Sequence, residues 1–106
     1  PWELKKSFDH SAPCSEIYPV SQVGHRDKGS ISLTVDGDVR QSSDLELMIW
    51  KTSEIISTLS KYYALQPGDI IMAGTPHGVG PVVPGNTMVG AIEGLGELTI
   101  QVGDPV

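Results

Sequence analysis

The stretch Ile31-Ser32-Leu33-Thr34-Val35-Asp36-Gly37-Asp38-Val39-Arg40-Gln41 decides the fold. Its first five residues alternate apolar and polar, the period of a strand with one covered face. Asp36-Gly37 supplies the positive φ values of a two-residue turn, and Asp38 to Gln41 returns, so a β-hairpin is expected. Working outward, Asp69-Ile70-Ile71-Met72-Ala73 is an apolar run bounded by Gly68 and Gly74 and reads as a buried strand. Thr87 to Ile92 and Glu97 to Val102 read as further short strands, separated by Gly94-Leu95-Gly96.

Between hairpin and apolar run lies the one segment with a clear helical period. Leu45, Met48, Ile49, Ile55, Ile56, Leu59 and Tyr62 or Tyr63 recur at i, i+3 and i+4 spacings, which predicts a helix from about Asp44 to Tyr63. Ser43-x-x-Glu46 has the form of a capping box at its start, and Pro67-Gly68 cannot continue it. The expected fold class is therefore α+β, mostly β, with one main helix at 44–63. The stretch from Ala64 onward holds most of the 12 Gly and 8 Pro, but Ile70, Ile71, Val82, Val83, Ile92 and Ile100 keep it hydrophobic, which argues against a disordered linker.

The chain has 106 residues, 13 acidic and 7 basic side chains, and a single Cys, Cys14. One domain fits this length, and the single Phe, Phe8, points to a thin core. A net charge of −6 argues against a nucleic-acid partner, whose backbone is held by clustered Lys and Arg. No apolar run approaches the roughly 20 residues that span a bilayer. A cytoplasmic protein with no membrane partner is the expectation.

The loop Gly74-Thr75-Pro76-His77-Gly78-Val79-Gly80-Pro81 is the most unusual feature. Three Gly in eight residues let backbone N–H groups approach a ligand closely, and Thr75 adds a hydroxyl. It reads either as a ligand-contacting loop or as a tight connection between strands. It is not a nucleotide loop, since no Lys-Ser or Lys-Thr follows Gly80. Lys5 and Lys6 would point to opposite faces of an extended segment, so one of them could face a pocket while solvation of both is the plainer reading. His10, Cys14, His25 and His77 lack the paired spacing of a metal site, and the Gly-x-Ser-x-Gly of a nucleophile elbow is missing. Acidic residues are scattered, and no two form a persuasive acid/base pair.

Three motifs in order resemble the fumarylacetoacetate hydrolase family: Pro1-Trp2-Glu3-Leu4-Lys5-Lys6-Ser7-Phe8-Asp9-His10-Ser11-Ala12-Pro13, then Asp44-Leu45 through Met48-Ile49-Trp50, then Gly68-Asp69-Ile70-Ile71 with Gly74-Thr75-Pro76-His77-Gly78-Val79-Gly80. Within it, the opening segment and Cys14-Ser15-Glu16-Ile17 look most like the branch that hydrolyses fumarylpyruvate in gentisate breakdown. The resemblance implies a mixed β-roll, a divalent ion, Mg²⁺ or Mn²⁺, and a 2,4-dioxo acid substrate whose carbon–carbon bond is cleaved by an activated water. It implies that Lys6 contacts substrate oxygens, that Gly74, Thr75 and Pro76 close over the substrate, and that His10 lies near the metal-water shell. In the family the metal is held by a Glu-x-Glu pair and a later Asp, all upstream of the Pro-Trp segment. Residues 1–106 are thus expected to be the C-terminal part of a catalytic domain of about twice the length, with no metal ligand of their own. A homodimer, or a complementary N-terminal half, is the expected partner. Ala73 and Asn86 depart from the Thr and Asp of many relatives. Oxaloacetate decarboxylation or tautomerisation, a non-catalytic structural half, and a stand-alone β-barrel binding module are the alternatives.

Overall fold

The structure, a computed structural model, describes residue 4 and residues 6–105. Strands β1 (Ser30–Val35) and β2 (Asp38–Asp44) form the hairpin. Asp36 at φ 49° and Gly37 at φ 85° make the primed turn that matches strand twist. Leu33 faces Gln41 while Thr34 faces Val39, so Arg40 is an extra residue that bulges β2. Strand β3 (Thr87–Ile92) pairs with β1, and β4 (Gly96–Gln101) pairs with β3, giving an antiparallel sheet in the order β2-β1-β3-β4. The α+β, mostly β reading holds, with one main helix.

That helix is shorter than its periodicity predicts. Ser43 cannot cap it, because Ser43 is paired with Ile31 inside the hairpin. Asp44 instead caps a single 3-10 turn, Leu45–Leu47, its Oδ1 accepting from the N–H of Glu46 at 2.9 Å and of Gly29 at 3.0 Å. Met48 then has extended backbone, with ψ 131°. A four-residue helix, α1 (Val20–Val23), precedes the sheet, and the main helix, α2, runs only over Thr52–Leu59. Its first turn is closed by the Lys51 N–H donating to Glu54 Oε2 at 3.0 Å. Hydrogen-bonded turns carry on to Tyr63, and Pro67-Gly68 lies beyond, in a separate turn closed from Asp69 N–H to Gln66 O at 3.1 Å with Gly68 at φ 95°.

The segment Asp69–Ala73 is not a strand among the described residues. It makes no ladder, and Ile70 and Met72 are 73% and 72% exposed. Its apolar character was legible but its covering was not, since no described element lies across it. Val35 is the buried hydrophobic of the described core. The accessible surface is 8695 Å², against about 5,700 Å² expected for a self-contained protein of this mass. The radius of gyration is 15.3 Å, against about 13 Å for a compact chain of this length. The sheet is ordered but under-covered.

Asp36 locks the hairpin turn to β3. Its Oδ1 accepts from the Thr87 N–H at 2.8 Å and its Oδ2 from Asn86 Nδ2 at 2.6 Å. Asn86 Oδ1 in turn accepts from the Val83 N–H at 2.8 Å. An Asp at 86 would set two carboxylates against each other. Asn86→Asp is therefore expected to cost about 1 kcal/mol at neutral pH and low salt, partly recovered in high salt, as read by urea denaturation. Unchanged stability would refute this role for the amide.

Candidate functional site

The bulge at Arg40 is where the Gly74–Pro81 loop meets the sheet. The Arg40 guanidinium donates from Nη1 to the Pro81 carbonyl at 3.3 Å. The side chain of Gln41, next along β2, donates from Nε2 to Thr75 Oγ1 at 2.8 Å and to the Pro76 carbonyl at 2.6 Å. Gly78 sits at φ 114°, and a Cβ there would collide with the Arg40 carbonyl oxygen. Only Gly satisfies both the left-handed backbone and the close approach. The Gly-rich stretch is thus clamped along an edge strand.

Loop and sheet enclose an open cavity of about 320 Å³. Gly74, Thr75, Pro76 and Gln41 form its rim on the loop side, Ser15, Tyr18 and Ser32 bring further hydroxyls to its lining, and Leu33 and Leu98 belong to its apolar wall. Glu97 is its one carboxylate, and no described Lys, Arg or His lines it. Gly74, Thr75 and Pro76 therefore lie together in the cavity lining. Lys6 and His10 are not among the described lining. Lys6 is exposed and has helical rather than extended backbone, while Lys5 lies outside the described residues. His10 stands at φ 61° in a turn where the Ser11 N–H donates to the Phe8 carbonyl at 3.0 Å. Cys14 is exposed and unpaired among the described residues.

Among the described residues no three His, Cys, Asp or Glu side chains come together to hold a metal ion. The donor set of a divalent ion is not supplied by them, and the cavity's hydroxyls, amide and single carboxylate do not replace it. A second cavity, about 520 Å³, lies by the start of α2 and mixes charges, with Arg26, Lys28 and Lys51 beside Asp27, Glu46 and Glu54. No described helix is long and apolar enough to cross a membrane. Sequence reasoning missed Gln41 and Arg40. They lie on a strand far from the loop in the chain, and only the hairpin register aligns them with it.

An antiparallel sheet with a Gly-rich loop beside a mostly apolar cavity is the kind of concave setting in which proteins hold small ligands. Residues 1–103 match the model of the fumarylacetoacetate (FAA) hydrolase C-terminal family, and the chain belongs to that family. It is 46% identical over 103 residues to a fumarylpyruvate hydrolase from Ralstonia sp, covering 97% of this chain and 53% of that protein. It is 40% identical over 105 residues to a human mitochondrial oxaloacetate tautomerase, covering 99% of this chain and 48% of that protein. Among solved structures it superimposes with TM-score 0.94 and 51% identity on Pseudomonas aeruginosa fumarylpyruvate hydrolase in complex with Mn²⁺ and pyruvate, covering 99% of this chain and 45% of that one. The chain thus spans about half the length of the relatives it matches. These relatives are enzymes of fumarylpyruvate or oxaloacetate by name, and the structural relative is in complex with Mn²⁺ and pyruvate.

Proposed function

We propose that this chain forms the substrate-facing wall of a divalent-metal-dependent hydrolase that cleaves acylpyruvates of the fumarylpyruvate type, in the catabolism of aromatic compounds. The observation that carries the reading is the Gly74-Thr75-Pro76 rim, in a chain 51% identical to an enzyme solved with Mn²⁺ and pyruvate. In the reaction one water adds across the bond between C3 and C4. The acyl half leaves as a carboxylic acid, and the pyruvate half leaves through its enolate, which takes a proton at C3. The rim is suited to that half, because the Thr75 hydroxyl and the backbone N–H groups of the loop are donors where negative charge gathers. Apolar residues such as Leu33 and Leu98 line the cavity beside them, and such contacts strengthen where a covering element excludes water. The proposal extends to Lys6, as a cation for the substrate carboxylate, and to His10, as a contact of the metal-water shell. The metal, Mg²⁺ or Mn²⁺, is assigned to ligands outside the described residues.

The under-covered sheet supports a covering partner, for which we name a complementary half of the same catalytic domain, with a homodimer assembled on top of it. The exposed thiol of Cys14 fits a reducing, cytosolic setting. The test is a substrate panel on the enzyme that contains this chain, loaded with Mn²⁺. Fumarylpyruvate or acetopyruvate is expected to be hydrolysed faster than oxaloacetate is tautomerised or decarboxylated. The reverse order would favour the second reading, oxaloacetate chemistry, for which the likeness to the human tautomerase speaks. A calorimetric titration of residues 1–106 with Mn²⁺ is expected to show no stoichiometric micromolar site, and such a site would refute the assignment of the ligands elsewhere.

A further inference from the structure

We infer that Gln41 sets the direction of the Thr75 hydroxyl, so that the loop presents a hydrogen-bond donor to an anionic oxygen in the cavity. The inference rests on the oxo-acid reading above and makes Gln41 a positioning residue. A carbonyl oxygen only accepts, so the Gln41 atom 2.6 Å from the Pro76 carbonyl must be the amide nitrogen. That nitrogen carries two hydrogens. One goes to Pro76 and the other to Thr75 Oγ1 at 2.8 Å, so the hydroxyl is the acceptor of that pair. An oxygen that accepts from Gln41 still has its own single hydrogen to give. Among the described residues Thr75 gives it to nothing, and Thr75 lies on the cavity rim. The Pro76 bond fixes the amide in this orientation, and the Arg40 bulge brings Gln41 under the loop. The polarity of the rim is therefore decided from the edge strand.

Gln41→Glu keeps the shape and removes both donors. Thr75 must then give its hydrogen to residue 41, and the substrate loses it. In the metal-loaded enzyme containing this chain, Gln41→Glu is expected to lower kcat for acylpyruvate hydrolysis about 30-fold while KM moves less than about three-fold. Thr75→Val is expected to lose a similar amount, and the double variant no more than the worse single one. Lowering pH should restore part of the Gln41→Glu activity, since a protonated Glu donates one hydrogen again. Gln101→Glu is the control, because Gln101 and Thr87 form an amide–hydroxyl pair outside the cavity, with Gln101 Nε2 donating to Thr87 Oγ1 at 2.9 Å and Thr87 Oγ1 donating back to Gln101 Oε1 at 3.2 Å, and its kcat should not change. Wild-type kcat in Gln41→Glu, or losses that add in the double variant, would overturn the inference. If the unmodified enzyme turns over no acylpyruvate, the oxo-acid reading fails, and the side-chain amide protons of Gln41 decide the geometry by NMR. One of the two should move on Thr75→Val and the other should stay. Neither moving would overturn the inference independently of activity.

Discussion

Gly78→Ala is expected to detach the Gly74–Pro81 loop and lower kcat/KM for acylpyruvates by about a hundred-fold or more, while the sheet stays folded. Two costs coincide at this position. The backbone is at φ 114°, where a Cβ is strained, and the added carbon meets the Arg40 carbonyl, a backbone atom that cannot swing away. Gln41 Cγ, at 3.1 Å from the same carbon, closes the other side. Strain and overpacking together come to about 2–4 kcal/mol. The loop is held to β2 by the Gln41 bonds to Thr75 and Pro76 and the Arg40 bond to Pro81, worth about 1 kcal/mol each. β2 is held to β1 by a full ladder. The weaker attachment yields, so the loop leaves and the strand stays. Hydrogen exchange across residues 74–81 should quicken, with β1 to β4 unaffected. Gly85→Ala separates strain from collision, because Gly85 also has positive φ, 93°, with nothing within 4 Å of an added Cβ. It should cost about 1 kcal/mol and leave turnover intact. Retention of wild-type kcat/KM by Gly78→Ala would show that the loop is not held as described.

The contrast between these two glycines shows what a sequence can and cannot disclose. The hairpin was legible because its signals are adjacent: five alternating residues and an Asp-Gly pair settle turn and strands together. β3 and β4 were legible for the same reason, with a Gly-flanked turn between short apolar runs. The start of the helix was misplaced because Ser43-x-x-Glu46 is a local signal overridden by a distant one, the pairing of Ser43 with Ile31. Periodicity from Leu45 to Ile49 is real, but β2 extends to Asp44 and leaves room for one 3-10 turn only. Asp69–Ala73 failed differently, since apolar composition states that a segment wants cover and not what covers it. In the site, Gly74 to Pro76 stood out by composition alone. Gln41, 34 residues from Thr75 in the chain, depends on a bulge that no local pattern announces.

Lys6→Met is expected to weaken pyruvate binding and to lower kcat/KM for acylpyruvates by about a hundred-fold, the scale of a charge-assisted hydrogen bond to a carboxylate. On the proposed reading, the electrostatics of the described cavity call for a cation. The chain carries −6 overall and so repels anionic substrates at long range. Its cavity wall has Glu97 and no described Lys, Arg or His. Neutral donors on the rim orient a carboxylate but do not balance its charge, so on the proposed reading the balance is assigned to the metal and to Lys6 of the Lys-Ser-Phe motif. Met keeps the length and apolar stem of Lys and removes only the charge and its donors. Lys6→Arg restores charge with a different, planar donor geometry and should recover activity only in part. Lys61→Met removes an exposed cation beyond α2 and should change nothing. Salt provides the decisive comparison. Raising ionic strength should weaken pyruvate binding to the wild type more than to the Lys6→Met variant, because the variant keeps only the metal's share of the attraction that salt screens. Pyruvate affinity in Lys6→Met equal to wild type would remove Lys6 from the site, and the carboxylate would then have to be balanced by the metal alone.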